Sequence, residues 1–123
     1  MLDTNVAIHL RDGDERIGEL IRATSDTLAF SIVTVVELEA GLSRKEADLR
    51  SLRLEALLQT VEVRPFDRRD AAAYGRIVRE AGFSRRKVLD RMIAAQAIVD
   101  EAVLVTMNGD DFRDIPGLTL LEW

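Results

Sequence analysis

Five acidic side chains occupy positions from which this 123-residue chain could do chemistry. Asp3 lies in LDTNV, Glu37 in SIVTVVELEAG, Asp90 in VLDRMIAAQAI, and Asp110 and Asp111 in TMNGDDFRDIPGL. Each follows a short apolar run or stands near the start of a helical pattern. Carboxylates gathered at one place repel each other and raise one another's pKa, so stability alone does not select such a cluster. A divalent cation reverses the sign of that argument. Mg²⁺ or Mn²⁺ takes hard oxygen ligands, keeps several waters and needs only one or two direct carboxylates. Two such ions would bridge a phosphodiester, activate a water and stabilise the leaving oxygen. Thiolate nucleophiles, disulfides and cysteine-based zinc sites are excluded, because the chain has no cysteine.

Asp90 raises the sharpest question. Between Met92 and Val99 the only polar residue is Gln96, so the helix around it should be deeply buried. Asp90 shares a face with Ile93, Ala94 and Ala97 at helical spacing. A carboxylate there must be neutralised, find a partner or hold a cation. Lys87 or Arg86, three and four residues earlier, could pair with it.

The other acids have local explanations of equal standing. Asp3 could cap a helix or close an Asx-turn, although Asn5 could cap equally well. Thr34-Val35-Val36-Glu37 fits a capping box in which Glu37 reaches back to the Thr34 amide. Glu37 also shares its face with Val33, Ala40 and Gly41, as a side chain entering a crevice would. One of Asp110 and Asp111 is expected to cap a short turn through Phe112 and Arg113, leaving the other to face a crevice. Local rules leave that choice open.

The elements that must position these acids alternate. β-rich runs at 28–33, 61–66, 102–106 and 118–121 are separated by helical patterns at 14–23, 34–43, 45–59, 68–81 and 88–101, and Met1-Leu2-Asp3 reads as the end of a further strand. The alternation predicts an α/β domain whose central, mostly parallel sheet is flanked by helices. In such sheets, ligands collect beyond the C-terminal ends of the strands, which is where the acids fall. No repeat, low-complexity tract or linker divides the chain, so residues 1–123 are expected to form one domain.

The composition, 47% apolar and 32% charged, is that of a globular protein. With no apolar run of spanning length and no signal-peptide pattern, the expectation is a cytoplasmic protein without membrane association. The net charge of −5 is unevenly spread: Arg64 to Arg91 carries nine basic against four acidic residues. Arginine dominates, with lysine only at 45 and 87, which suits bidentate phosphate contacts. A solvated helical face would account for the same pattern, so charge alone leaves the partner open.

LDTN, VVELEAG, LDRMIAAQAI and TMNGDDFRDIPGL, in this order and spacing, resemble PIN-domain ribonucleases. Among these the sequence is most similar to the VapC-type toxins of bacterial toxin–antitoxin pairs, over essentially its whole length. The resemblance implies a PIN-like domain that hydrolyses RNA phosphodiesters with a metal-activated water. By motif, Asp3, Glu37 and Asp90 would hold Mg²⁺ or Mn²⁺. In Asn108-Gly109-Asp110-Asp111-Phe112 the resemblance selects Asp111 as the fourth acid, with Asp110 beside it. Asn5, Thr106 and Asn108 match accessory polar positions. His9 is expected at the surface, since this chemistry does not call for it.

Two departures from the family pattern stand out. Members usually begin several residues earlier, with a fuller first strand than Met1-Leu2 allows. Many also carry small residues before the third acid, where this chain has Ser84-Arg85-Arg86-Lys87. That basic run is expected to contact the RNA backbone. The implied partners are a cognate antitoxin that inserts a segment into the acidic groove, an RNA substrate, and a second copy of the chain in a homodimer or a larger toxin–antitoxin assembly. The helix EADLRSLRLEALLQT presents a stripe of Leu49, Leu52 and Ala56, with Leu54, Leu57 and Leu58 beside it. It serves either as an interaction surface or as packing against its own sheet.

Other classes fit less well. A receiver-like phosphoacceptor would need a lysine near the end of a late strand, and a dehalogenase-type phosphatase would need DxD where Asp3-Thr4-Asn5 stands. An RNA-processing PIN nuclease and a catalytically silent binding module are the remaining alternatives. The silent module should have lost an acid.

Overall fold

The computed structural model describes residues 1–43 and 47–123. Four short strands, β1 (Ala29–Ser31), β2 (Glu62–Arg64), β3 (Val103–Thr106) and β4 (Thr119–Glu122), alternate with six helices. These are α1 (Thr4–Arg11), α2 (Glu15–Ala23), α3 (Ile32–Ala40), α4 (Ala47–Leu58), α5 (Arg68–Ala81) and α6 (Val88–Val99). β1 pairs with β2 and β3 with β4, both in parallel. Leu2 joins the two pairs by bridging Phe30 on one side and Val105 on the other, again in parallel. The sheet order is therefore β2-β1-Leu2-β3-β4, and a single residue forms its centre.

Side-chain alternation along the strands divides the core between two faces. Leu104 points to one side, where it meets Ala73 and Ile77 of α5, Ile93, Ala94 and Ala97 of α6, and Phe112. Val105 points to the other, where Leu2 and Phe30 pack with Val6 and Ala7 of α1, Ile17 of α2, Leu38 of α3 and Leu54 of α4. Helices thus cover both faces of an all-parallel sheet, the α/β arrangement expected from the alternation.

Most boundaries match the sequence reading, and the exceptions have local causes. Helix α3 begins at Ile32, two residues early, because Ser31 caps it by accepting from the Val33 amide at 2.9 Å. Thr34 therefore lies inside the helix, and the capping box expected between Thr34 and Glu37 does not form. The expected helix over 45–59 is described as Ala47–Leu58, and residues 45 and 46 lie outside the described residues. Among the described residues, no helix is long and apolar enough to cross a membrane.

Candidate functional site

Asp3 leaves the sheet immediately after Leu2, at the C-terminal end of the central position. Its amide donates to Val105 O at 2.9 Å, and its buried carboxylate works in two directions. Oδ1 accepts from the Thr4 amide at 2.8 Å, so Asp3 caps α1. Oδ2 accepts from the Thr106 hydroxyl at 2.8 Å. Of the two caps the sequence offered, Asp3 is the one used and Asn5 is not; capping and facing the crevice use different oxygens of one carboxylate. Burial pushes the Asp3 pKa up, with the charges of Glu37 and Asp111 adding to it and the two hydrogen bonds opposing.

Thr106, fully buried at the end of β3, is the hub of the accessory polar residues. Besides donating to Asp3, its hydroxyl accepts from the Asn108 amide at 3.0 Å and lies 3.5 Å from Asn5 Nδ2. Asn5 Oδ1 in turn accepts from the Met107 amide at 3.3 Å. All three accessory residues therefore connect α1 to the turn after β3.

Glu37 is half-buried on α3 and accepts from the Thr4 hydroxyl at Oε2. Thr4 Oγ1 also lies 3.2 Å from the buried Thr34 Oγ1. Thr4 and Thr34, which the sequence reading gave no part in the site, thus tie the helix carrying the second acid to the helix that follows the first. Both stood in quoted stretches, but their pairing spans thirty residues and has no local signature.

Asp90 stands in the first turn of α6, half-buried. Its pKa is pushed up to about 6, first by burial and then by the charges of Asp3, Asp111 and Glu37, with Lys87 opposing. Asp90 and Asp3 thus each lie within electrostatic reach of the other and of Glu37 and Asp111. Lys87 does not form an ion pair with Asp90: its Nζ lies 3.1 Å from Asp114 Oδ2. Arg85 and Arg86 are exposed and make no hydrogen bond or ion pair among the described residues.

The tail separates the two neighbouring aspartates. Gly109–Asp111 forms a short 3₁₀ turn. Asp111 Oδ2 accepts from Asn108 Nδ2 at 2.7 Å, and its charge is felt by both Asp3 and Asp90. The Asp110 side chain is 80% exposed and pairs with Arg113. Neither caps the turn, which begins after Asn108. His9 is a surface residue paired with Asp14 at 2.9 Å.

The donor set suits a hard divalent cation in type and charge: four carboxylates, with the Lys87 ammonium that opposes them at Asp90 already shared with Asp114. Among the described residues, no three acidic or histidine side chains are already drawn into a ligand shell.

The model of the PIN domain family matches residues 1–118. The chain belongs to the PIN-domain family. Within it, the sequence is 30% identical to ribonuclease VapC2 of Rickettsia felis, covering all of this chain and 96% of that protein. It is 32% identical to the tRNA(fMet)-specific endonuclease VapC of Salmonella typhimurium, with the same coverage. Its fold matches the crystal structure of Rickettsia felis VapBC2 bound to a promoter DNA fragment, with a TM-score of 0.87 at 27% identity over 100% of this chain and 97% of that one. DNA-bound VapBC from Salmonella typhimurium also gives a TM-score of 0.87, at 29% identity over 100% and 96%. This PIN domain therefore stands among the VapC ribonucleases, as its motifs imply.

Proposed function

We propose that this PIN domain is a metal-dependent endoribonuclease and the toxin of a bacterial toxin–antitoxin pair. The observation that carries the reading is that Thr106 fixes Asp3, Thr4 holds Glu37 and Asn108 holds Asp111, while Asp90 opens α6 within reach of the charges of all three. Such an arrangement is unfavourable for the protein alone and favourable around a cation. Asp3, Glu37 and Asp90 would hold Mg²⁺ or Mn²⁺, directly or through water, with Asp111 completing the site. When bound, the ion would supply positive charge to a phosphodiester and lower the pKa of water. The side chains do the orienting. Thr106 fixes one oxygen of Asp3, Thr4 holds Glu37, Asn108 holds Asp111, and the first turn of α6 presents Asp90. No nucleophilic side chain stands among them. A silent binding module is disfavoured because all four acid positions are filled.

The partners follow from the relatives' complexes and from this chain's surface. Ile8, Ile32, Val36, Leu49 and Leu52 are exposed. A cavity of about 340 Å³ lies elsewhere, at the sheet face, while a groove of about 460 Å³ runs from Glu37 past Ile8 and Leu38 to Arg50. Within α4 the division is clear: Leu54 is buried and Leu57 and Leu58 are half-buried, whereas Leu49, Leu52 and Ala56 face outward. An antitoxin segment laid over this apolar stripe would reach the acidic site at Glu37. A homodimer, and larger assemblies built from it, belong to the same proposal and are read by sedimentation.

The deciding experiment is cleavage of a pool of cellular RNA by antitoxin-free protein with Mg²⁺, with Mn²⁺ and with EDTA, beside a folded Asp90→Asn variant. Discrete metal-dependent fragments, lost in the variant, are expected. No cleavage by folded, metal-loaded wild type would overturn the reading.

A further inference from the structure

A strand of RNA approaching Asp90 meets a repulsive field, since four carboxylates face it and the chain carries a net charge of −5. The segment that enters α6 offers the opposite chemistry. Residues 82–87 link α5 to α6, and α5 packs against α6, so this link lies at the same end of α6 as Asp90. Within it, Phe83 is 71% exposed, while Arg85 and Arg86 are exposed and unpaired among the described residues.

The link is held from several directions. Gly82 takes a φ of +82°, open chiefly to glycine, and its carbonyl accepts from Arg91 Nη1. The Lys87 amide donates to Ser84 O at 3.1 Å. Lys87 Nζ and Arg91 Nη2 both lie 3.1 Å from Asp114 Oδ2, which fastens the link to the tail just after Asp111. Arg91 itself is buried. An aromatic ring in water on an anchored turn, beside two free guanidinium groups, combines the two parts of single-strand recognition. The ring stacks with an unpaired base, and the arginines contact the phosphates.

We propose that Phe83 is the stacking platform for one unpaired base of the RNA near the cleaved phosphodiester, with Arg85 and Arg86 holding the strand's phosphates. The proposal rests on the nuclease reading above and adds to it the residue that selects single-stranded RNA. A protein partner on the same surface is less favoured. This edge is the one a phosphodiester must reach, and three consecutive basic residues complement a polyanion.

The test uses full-length wild type, Phe83→Ala, Phe83→Tyr and the Arg85→Ala/Arg86→Ala double variant. The probe is a single-stranded RNA of mixed sequence carrying 2-aminopurine at successive positions, titrated in EDTA so that binding is separated from cleavage. Wild type and Phe83→Tyr should quench 2-aminopurine at one position. Phe83→Ala should lose that quench and bind about 5- to 100-fold more weakly. The double arginine variant should keep the quench but show a shallower salt dependence. Phe83→Ala that binds and quenches like wild type would overturn the proposal. So would a Phe83→Ala effect confined to oligomeric mass or to capture by an antitoxin. If wild type cleaves RNA while Phe83→Ala cleaves and binds equally well, this inference fails and the nuclease reading stands. If wild type neither binds nor cleaves RNA, both fail.

Discussion

Two aspartates in the first turns of neighbouring helices meet opposite fates. Asp70, in α5, is fully buried and amply satisfied. It accepts from the Asp67 amide at 2.7 Å in a reciprocal capping box and lies 3.4 Å from Arg64, which also pairs with Asp100. Gln96 of α6 donates to the backbone carbonyl of Pro65 at 2.9 Å, fastening the same corner. Asp90, in α6, is less buried, yet it feels three other carboxylates and has no ion pair among the described residues. Depth does not separate the two. What separates them is whether the chain supplies the compensating charge. Where it does, the carboxylate is structural, and where it withholds it, the proposed site would draw that charge from an outside cation.

This contrast can be broken most directly by exchanging the amide for each acid. Asp90→Asn should lower metal-dependent RNA cleavage by about 10²- to 10³-fold while the protein stays folded, read as single-turnover rates beside circular dichroism. Asp70→Asn should do the reverse. It removes the charge paired with Arg64 and leaves one amide oxygen to serve either Arg64 or the Asp67 amide, so denaturant unfolding should show a loss of about 2–4 kcal/mol, with Mn²⁺ binding by the folded fraction unchanged. If Asp90→Asn unfolded the protein, or Asp70→Asn abolished metal binding in a folded one, the distinction would collapse.

Acidity sharpens the comparison. Folding raises the Asp90 pKa to about 6, so the folded state favours the protonated acid. Its contribution to stability is full below about pH 4 and is lost as the pH rises through about 6. Metal-free Asp90→Asn should therefore match wild type near pH 4 and exceed it at pH 7 by about 1 kcal/mol, after allowance for solvent screening. Thermal melts in EDTA at the two pH values check this, and saturating Mn²⁺ should reverse the order at pH 7. The smallest effect belongs to the tail. Asp110→Asn should leave cleavage within about twofold of wild type, as expected for an exposed ion pair, whereas Asp111→Asn should reduce Mn²⁺ affinity measurably by calorimetry.

Much of this was legible in the sequence because periodicity and chain order carry it. The helix expected over 68–81 is α5, residue for residue, since Asp67 and Gly82 mark its ends. Glu37 was harder. Ile32 and Val33 look like strand residues, and the pull of Ser31 on the Val33 amide overrides that preference. The helix therefore starts early, and the local explanation for Glu37 disappears. Asp110 and Asp111 could not be told apart by local rules, because either could have met Arg113 or Asn108, and the path of the 3₁₀ turn decides which does. Thr4 and Thr34 were invisible as site residues, as any contact made only by folding must be.

The seam of the sheet has a further consequence. Leu2, between Met1 and Asp3, joins the two strand pairs. Its amide bonds to Ala29 O, the Asp3 amide to Val105 O and the Val105 amide to Met1 O. Asp3 is thus a rung of the same ladder that closes the sheet. Its carboxylate cannot drift from the Thr106 hydroxyl without breaking backbone pairing at the centre of the molecule, so the position of the first acid is as fixed as the sheet itself.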